Sequence, residues 1–226
     1  MFKYETHLHT FPVSRCATST VEENLAFYKK LGYDGVFITN HFLDGNINID
    51  SQKSYSEKIE FYFSDYEKGV EIGEKLGIKV FCGVELSYKG TDFLVYGLDK
   101  EWFINHPEIL NMKKTDELKF MIEQGAFVIQ AHPYREAPYI DHVRLFPRSV
   151  HGVEVVNACQ DENTNNLAKI YCKSYNLLEF AGSDNHFAER KKFLAGLCFE
   201  QPISSVSDFI EKVKSGKMQI FTTNNE

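Results

Sequence analysis

The chain alternates short apolar runs, rich in β-branched and aromatic residues, with longer stretches in which apolar positions recur at helical spacing. Runs of the first kind are typical of buried β-strands, and stretches of the second kind are typical of amphipathic helices. The pattern predicts strands at 2–7, 34–39, 78–84, 92–98, 126–131, 152–156, 178–181 and 196–199. It predicts helices at 20–31, 56–76, 107–124, 163–175 and 205–214.

Boundary residues support several of these helices. Thr20, with Glu23 three residues later, is a capping-box signal in which each side chain bonds the other residue's backbone amide. Gly32, Gly77 and Gly125 each follow a predicted helix, where glycine commonly marks the end. Strands and helices therefore alternate along most of the chain.

This dense alternation of strand and helix predicts an α/β fold around a parallel sheet. In a chain of this length it favours a closed or distorted (β/α) barrel, with a doubly wound open sheet as the alternative. No glycine-rich phosphate loop of the Gly-x-Gly-x-x-Gly or Walker type follows a predicted strand, which weakens the open-sheet alternative. No linker, repeat or low-complexity block divides residues 1–226, so we predict a single domain.

The composition disfavours several function classes. The 226 residues carry 25 Lys and Arg against 32 Asp and Glu, and this net charge of −7 disfavours binding to extended nucleic acid. No apolar run has the length of a signal peptide or a membrane span, so we expect a cytoplasmic protein with no membrane partner. The five cysteines are odd in number and widely spaced, which indicates reduced thiols.

Polar side chains collect where the predicted strands end. Histidines and carboxylates of this kind are His7, His9, His41, His132, His186, Glu85 and Asp184. The carboxyl ends of the strands in a βα fold form one rim, so these side chains are expected to meet. Imidazoles mixed with carboxylates suit Zn²⁺, Mn²⁺ or Fe, whereas carboxylates alone suit Mg²⁺.

The spacing of these residues strengthens the metal interpretation. Extended residues at i and i+2 face the same side, so His7 and His9 can reach one ion. Asp184 and His186 repeat this spacing, and a central Glu85 can bridge two ions. A single buried histidine is more often a core or capping residue than a ligand. A whole series at successive strand ends is hard to explain that way, because uncompensated polar groups there would cost about 1–3 kcal/mol each.

Five motifs, in this order, resemble the PHP (polymerase and histidinol phosphatase) family. They are Thr6-His7-Leu8-His9-Thr10, Ile38-Thr39-Asn40-His41, Gly83-Val84-Glu85, Ala131-His132-Pro133 and Gly182-Ser183-Asp184-Asn185-His186. The resemblance covers most of the chain, from His7 to His186. It implies a distorted (β/α)7 TIM-like barrel whose rim holds two or three divalent metal ions and hydrolyses phosphate esters.

The resemblance also implies a role for each matching position. The positions that match ligands of the first ion are His7, His9, Glu85 and Asp184. Glu85 then bridges to a second ion held by His132, and Asp92 stands where the family usually has another histidine ligand. His41 and His186 match the third ion. The family places a further acidic or histidine ligand in the loop after His9, and residues 11–16 offer neither.

We interpret the chain as a metal-dependent phosphoesterase. Two ions would acidify a bridging water so that the resulting hydroxide attacks phosphorus, with no protein nucleophile and with Asp184 as an essential ligand. Arg135 and Arg15 are candidates to hold the phosphate oxygens, Arg15 in place of a third cation. His186 is the candidate that protonates the leaving alkoxide. The charge run that begins with Arg190 and Lys191 would join the phosphate contacts if its loop folds over the rim.

The expected partner is a small phosphorylated substrate, and histidinol phosphate is the first ester to test. A competing hypothesis is a non-catalytic PHP domain that binds a partner or a structural metal. The missing third-site ligand favours that hypothesis, as does Asn40, which stands where aspartate is common. Another alternative is an amidohydrolase-like enzyme acting on a C–N bond. Such an enzyme normally has a catalytic lysine at the end of a middle strand, and no predicted strand ends in lysine.

Overall fold

A computed structural model describes residues 1–190 and 193–224 as a mixed α/β fold, the class predicted from the sequence. Its strands are β1 (Phe2–Leu8), β2 (Gly35–Ile38), β3 (Lys79–Tyr88), β4 (Thr91–Tyr96), β5 (Phe127–Ala131), β6 (Gly152–Asn157), β7 (Leu178–Gly182), β8 (Phe193–Phe199) and β9 (Gln219–Asn224). Its helices are α1 (Val21–Lys30), α2 (Tyr55–Leu76), α3 (Lys100–Asn105), α4 (Lys114–Glu123), α5 (Glu162–Ser174) and α6 (Val206–Lys214). No helix in this described part of the chain is both long enough and apolar enough to cross a membrane.

The strands form one sheet in the order β7-β6-β5-β4-β3-β2-β1-β8-β9. The neighbours β1, β2 and β3 are parallel to one another, and so are β5, β6 and β7. Strand β4 runs antiparallel to both β3 and β5, and β8 and β9 add antiparallel pairs beside β1. The expectation of a parallel sheet is therefore wrong, because the sheet is mixed.

A tight hairpin between β3 and β4 causes this difference. Strand β3 continues past its predicted end at Val84 to Tyr88, and Lys89 and Gly90 form the turn. Both turn residues have positive φ, 50° and 82°, as a type I′ hairpin turn requires. Because β4 returns directly, no helix separates it from β3, and the expected run of seven β/α units is interrupted there.

The sheet curls into a nearly closed barrel. At the carboxyl end of β1, His9 N donates to Asn185 O at 3.0 Å, and Asn185 N donates to His7 O at 3.3 Å. Asn185 follows β7, so these bonds join the ends of β1 and β7. The closure brings the polar residues that follow both strands side by side.

Strong capping signals in the sequence correctly predict the start of one helix and the end of another. Thr20 and Glu23 form a complete capping box at the start of α1. Gly77 ends α2 in the left-handed conformation, with φ 68°. Both caps satisfy backbone groups that a helix end leaves unpaired, so the boundaries follow from local chemistry.

The helix predicted at 107–124 is confirmed only in its second half, where α4 spans Lys114–Glu123. A short 3₁₀ helix at Pro107–Asn111 and the separate helix α4 occupy this stretch, and α3 precedes them. The buried amine of Lys114 holds the start of α4 by pairing with Asp44 at 2.8 Å and Glu117 at 2.7 Å. The sequence pattern does not predict β9, because this strand depends on antiparallel pairing with β8.

Aromatic side chains fill the barrel below its polar end. Phe37, Tyr96 and Phe180 are fully buried and come from three different strands. Phe209 of α6 packs against Phe37 with ring centroids 4.3 Å apart and against Tyr96 at 5.5 Å. The Tyr96 hydroxyl donates to the Thr6 carbonyl at 2.7 Å, so the aromatic layer also supports β1 from below.

Gly196 lets β8 lie close against β1, and this packing gives a stability test. A Cβ at position 196 would overlap the Tyr4 carbonyl oxygen and press on the Phe221 ring. We expect Gly196→Ala to lower the free energy of unfolding by about 1–3 kcal/mol, because the strands must separate to admit the methyl group.

Urea denaturation followed by circular dichroism measures this change. Thr222→Ala, at an exposed position on β9, is the control and should alter stability by less than about 0.5 kcal/mol. Equal stability of Gly196→Ala and the parent protein would contradict the close approach of β8 to β1.

Candidate metal centre

The carboxyl end of the barrel carries a cluster of imidazoles and carboxylates. The ends of β1, β2, β5 and β7 supply most of its members, and β3 and β4 supply the others. The structure brings together all eight residues proposed as metal ligands from the sequence: His7, His9, His41, Glu85, Asp92, His132, Asp184 and His186. All of them are buried except His186, which is half-buried.

The first ligand group consists of His7, His9 and Asp184. The Nε2 atoms of His7 and His9 lie 3.2 Å apart, and Asp184 Oδ1 lies 3.5 Å from the first and 3.3 Å from the second. Two atoms that each bind one tetrahedral zinc ion at about 2.0–2.1 Å are roughly 3.3 Å apart. The spacing of these three atoms therefore fits three ligands of one ion.

Glu85 lies between this group and its neighbours. Its Oε1 is 3.1 Å from His7 Nε2 and 3.4 Å from His132 Nε2. Its Oε2 is 3.4 Å from His9 Nε2 and 2.6 Å from His41 Nδ1. A carboxylate whose two oxygens face four imidazoles can bridge two ions.

Several of these buried atoms have no hydrogen-bond partner among the described residues. They include both carboxylate oxygens of Glu85 and Nδ1 of His41. That nitrogen lies 2.6 Å from Glu85 Oε2, but the two groups are not aligned for a hydrogen bond. An unpaired buried polar group costs about 1–3 kcal/mol, and a cation among these lone pairs would remove that cost. The donor set therefore fits a divalent metal ion.

Burial and neighbouring charges shift the pKa values of Glu85 and His7 in opposite directions. Burial would raise the pKa of Glu85, but His41 and His7 hold it well below its ordinary value. Burial would lower the pKa of His7, but Glu154 and the other carboxylates hold it well above its ordinary value. The pKa of His9 is lowered well below its ordinary value, by burial and by the adjacent imidazoles. The carboxylates thus attract positive charge into the cluster, as protons or as metal ions.

Glu154 of β6 orients this cluster from the side, and it was not identified from the sequence. Its Oε1 lies 2.9 Å from His7 Nδ1, which leaves Nε2 of that ring to face the other ligands. Its Oε2 accepts from His132 N at 3.1 Å and from Asn157 Nδ2 at 2.8 Å. A carboxylate behind a metal-ligating histidine fixes the ring and raises its basicity. A single charged residue inside an apolar strand was the signal for it.

A loop network orients His9 in the same way. Its Nδ1 lies 3.0 Å from Ser14 Oγ, and that hydroxyl donates to Asn40 Oδ1 at 2.7 Å. Asn40 Oδ1 also accepts from Thr10 N at 2.7 Å. The hydroxyl therefore accepts from His9 Nδ1–H, which leaves the lone pair on Nε2. Asn40 therefore supports the candidate ligand His9 indirectly, through the Ser14 hydroxyl.

Two ligand positions have strained backbone. His132 has φ 25° and Asp184 has φ 51°, in a region that residues other than glycine rarely adopt. Such conformations cost about 1–3 kcal/mol each and persist where the surroundings fix them. Glu154 holds the first position by accepting the His132 amide. The buried Glu5 holds the second by accepting from Ser183 N at 2.9 Å.

Cys16 adds a thiol beside two of the histidines. His41 and His186 lie in a group with His9, and the Cys16 side chain interacts with the rings of both His41 and His186. Burial raises the pKa of the thiol, but His186 and His41 lower it to about 6. Residues 11–16 contain no imidazole or carboxylate, so the sequence-based ligand set does not include this thiol. A cysteine soon after the His-x-His motif was the available signal.

An open cavity of about 500 Å³ leads to the cluster. Its wall includes the cationic side chains of Lys89 and Arg135. Arg135 donates to the Tyr139 hydroxyl, and its Nη2 lies 3.7 Å from Asp92 Oδ2. The same Asp92 oxygen lies 3.9 Å from His132 Nε2. Asp92 is therefore shared between the arginine and the ligand cluster.

The structure does not bring Arg15 to this cavity. Its side chain is exposed, and its backbone amide donates to Asn46 O at 2.9 Å. The next residue, Cys16, is the one that lines the cavity, so the loop turns the guanidinium away. Lys191 lies outside the described residues, and so does the side chain of Arg190.

Comparison with known proteins gives matches in structure alone. No protein-family model matches the chain, and no curated protein matches it in sequence. A two-domain protein from Bacteroides vulgatus, described as containing a PHP-like metal-dependent phosphoesterase, is similar with a TM-score of 0.70 and 16% identity. The match covers 97% of this chain and 64% of that protein, so this chain spans less than two thirds of its length.

Two further solved structures cover nearly the whole of both chains. A protein from Bifidobacterium adolescentis, named as a metal-dependent phosphoesterase, has a TM-score of 0.58 and 13% identity over 93% of this chain and 95% of its own. An amidohydrolase from Chromobacterium violaceum has a TM-score of 0.58 and 12% identity over 96% and 97%. The chain therefore has the TIM-barrel-like fold that these phosphoesterases and this amidohydrolase share.

The position of Glu154 behind His7 gives a test of the metal centre. We expect Glu154→Gln to weaken divalent metal binding about 10–100-fold, because the amide holds the His7 ring less firmly and lowers its basicity. Isothermal titration with Zn²⁺ or Mn²⁺ measures the dissociation constant.

Glu179→Gln is the matched control, since Glu179 is an exposed residue on the neighbouring strand β7, paired with Val153 of β6. It should bind metal as the parent protein does. Unchanged metal affinity in Glu154→Gln would show that His7 needs no such partner.

Proposed function

We propose that the chain is a metal-dependent phosphoesterase of the PHP type that hydrolyses a small phosphate monoester. The observation that carries this proposal is the convergence of imidazole nitrogens and carboxylate oxygens around the unpaired oxygens of Glu85. The five ordered motifs and the shared fold support it. Histidinol phosphate is the first substrate candidate.

The proposal assigns two or three divalent ions to the ligand groups. The first ion takes His7, His9, Glu85 and Asp184. The second takes Glu85 and His132, with Asp92 as a further ligand. The third takes His41 and His186. A donor set this rich in imidazole suits Zn, Mn or Fe better than Mg.

The remaining side chains of the cavity determine where a substrate binds. Bound divalent ions would supply acidification of water and neutralisation of charge on the phosphoryl oxygens. Arg135 and Lys89 line the same cavity and can hold the oxygens of a phosphate group, the guanidinium through paired hydrogen bonds. A volume of about 500 Å³ suits a small ester rather than a polymer.

His186 acts as a ligand in this proposal rather than as the acid that protonates the leaving group. Its Nδ1 lies 2.9 Å from the Asp184 carbonyl oxygen, so the ring donates from Nδ1 and carries its lone pair on Nε2. A neutral imidazole in that tautomer binds a metal ion and has no second proton to give.

Lys89 bears on the amidohydrolase alternative. It directly follows β3 and lines the cavity, so a lysine does stand near the end of a middle strand. Glu85, however, lies between His7 and His132, so a carboxylate rather than this lysine occupies the place of a bridging ligand, as the proposed phosphoesterase requires. Release of phosphate from a panel of monoesters, run beside an amide panel with the same metals, separates the two activities. Metal binding with neither activity would indicate a non-catalytic domain.

Asp184→Asn tests the catalytic assignment. We expect kcat for the best phosphate monoester to fall by more than the roughly 10–100-fold typical of residues that only support a ligand. The reason is that the amide removes a negative charge from the first ligand group. Steady-state phosphate release measures the change.

Asp116→Asn, an exposed substitution of the same kind on α4, is the control and should retain the parental rate. Full activity in Asp184→Asn would overturn the assignment of this site.

Arg135→Gln tests phosphate binding. We expect KM to rise about 10-fold or more, since a lost charge-assisted hydrogen bond is worth about 1.5–3 kcal/mol, with a smaller change in kcat. Arg148→Gln, at an exposed position, should leave KM unchanged. An unaltered KM in Arg135→Gln would exclude the arginine from substrate binding.

A further inference from the structure

The loop between His9 and α1 is held on both sides of Cys16. Before it, Arg15 N donates to Asn46 O at 2.9 Å, in the loop that follows His41. After it, Thr18 N donates to His186 O at 3.0 Å. These bonds hold the half-buried Cys16 in the wall of the cavity that His41 and His186 also line.

His9 cannot serve as an exclusive third ligand for His41 and His186. Its Nδ1 is bonded to Ser14 Oγ, and its Nε2 lies 3.2 Å from His7 Nε2 in the first ligand group. An ion held by His41 and His186 therefore needs another donor. The buried Nδ1 of His41 faces Glu85 Oε2 at 2.6 Å without the alignment of a hydrogen bond among the described residues.

We propose that Cys16 completes a third metal site with His41 and His186, which gives that ion two imidazoles and one thiolate. The inference rests on the proposed function, because it concerns one of the ions assigned to the same centre. Binding forms a metal–sulfur bond and releases the thiol proton to solvent. The third site then has its own donor set, distinct from the imidazole and carboxylate sites beside it.

The sulfur changes which metal the third site prefers. Thiolate is a soft ligand that favours Zn²⁺ and disfavours Mn²⁺, whereas carboxylates suit Mn²⁺. The two carboxylate-containing groups and the thiolate site therefore differ in metal preference within one centre. Replacement of the thiolate by a carboxylate should retain an ion at this site and shift its preference toward Mn²⁺.

Cobalt substitution tests the proposal without an activity assay. Co²⁺ replaces Zn²⁺ at such sites, and a thiolate ligand adds an intense sulfur-to-cobalt absorption in the near ultraviolet. The parent protein, reduced and free of metal, is titrated with Co²⁺ while absorbance and bound cobalt are followed. Cys16→Ala, Cys16→Asp, Cys159→Ala and Cys198→Ala are titrated in the same way.

The parent protein should bind about three equivalents of cobalt and show the sulfur absorption. Cys16→Ala should lose that absorption and one equivalent, whereas Cys16→Asp should lose the absorption and keep the ion. Cys159 donates its thiol to the Asp184 carbonyl, and Cys198 lies on β8 beside Lys3, so they control for a nearby and a distant cysteine. Both control variants should match the parent protein.

Three results would overturn the inference, and they differ in what else they overturn. Cobalt binding without the sulfur absorption, or an absorption that Cys159→Ala removes and Cys16→Ala retains, would exclude Cys16 and leave the rest of the metal centre intact. Failure of the parent protein to bind cobalt at all would overturn the proposed function together with the thiolate site.

Discussion

The site depends on an excess of lone pairs buried at one end of the barrel. Both oxygens of Glu85 face imidazole nitrogens, and neither makes a hydrogen bond within the described residues. Each unpaired buried group costs about 1–3 kcal/mol, so the cluster needs positive charge among its members. Burial also strengthens every charge interaction there, because little water screens it. The same excess of lone pairs that destabilises the folded chain makes this end of the barrel suited to binding cations.

The rest of the fold holds those lone pairs in place. Glu5 and Glu154 are buried carboxylates that bond backbone amides near the ligands, and they support the strained positions of Asp184 and His132. Backbone bonds between β1 and the residue after β7 close the barrel at the same level. The aromatic layer below is close-packed and resists movement of the strands. The surrounding fold therefore fixes the positions of the candidate ligands. A centre that binds ions at defined positions requires such support.

The sequence predicts which side chains meet at the rim, because their positions follow from local rules. Residues that end parallel strands meet at one rim, and the i, i+2 spacing of His7 and His9 puts both on one side. The direction of β4 does not follow from such rules, because its apolar pattern is the same for a parallel and an antiparallel strand. The turn at Lys89 makes it antiparallel to β3. Glu154 acts on a partner 147 residues away, and Cys16 on two distant histidines. Such contacts exist only once the barrel has closed.

The central claim is that this cluster binds divalent metal ions, and metal content per chain tests it most directly. Protein purified without chelator or affinity tag is analysed by plasma mass spectrometry, before and after reconstitution with Zn²⁺, Mn²⁺ or Fe²⁺. The account predicts about two to three equivalents of tightly bound metal per chain. Less than about one equivalent after reconstitution would contradict it, because the lone pairs would then be satisfied by protons alone.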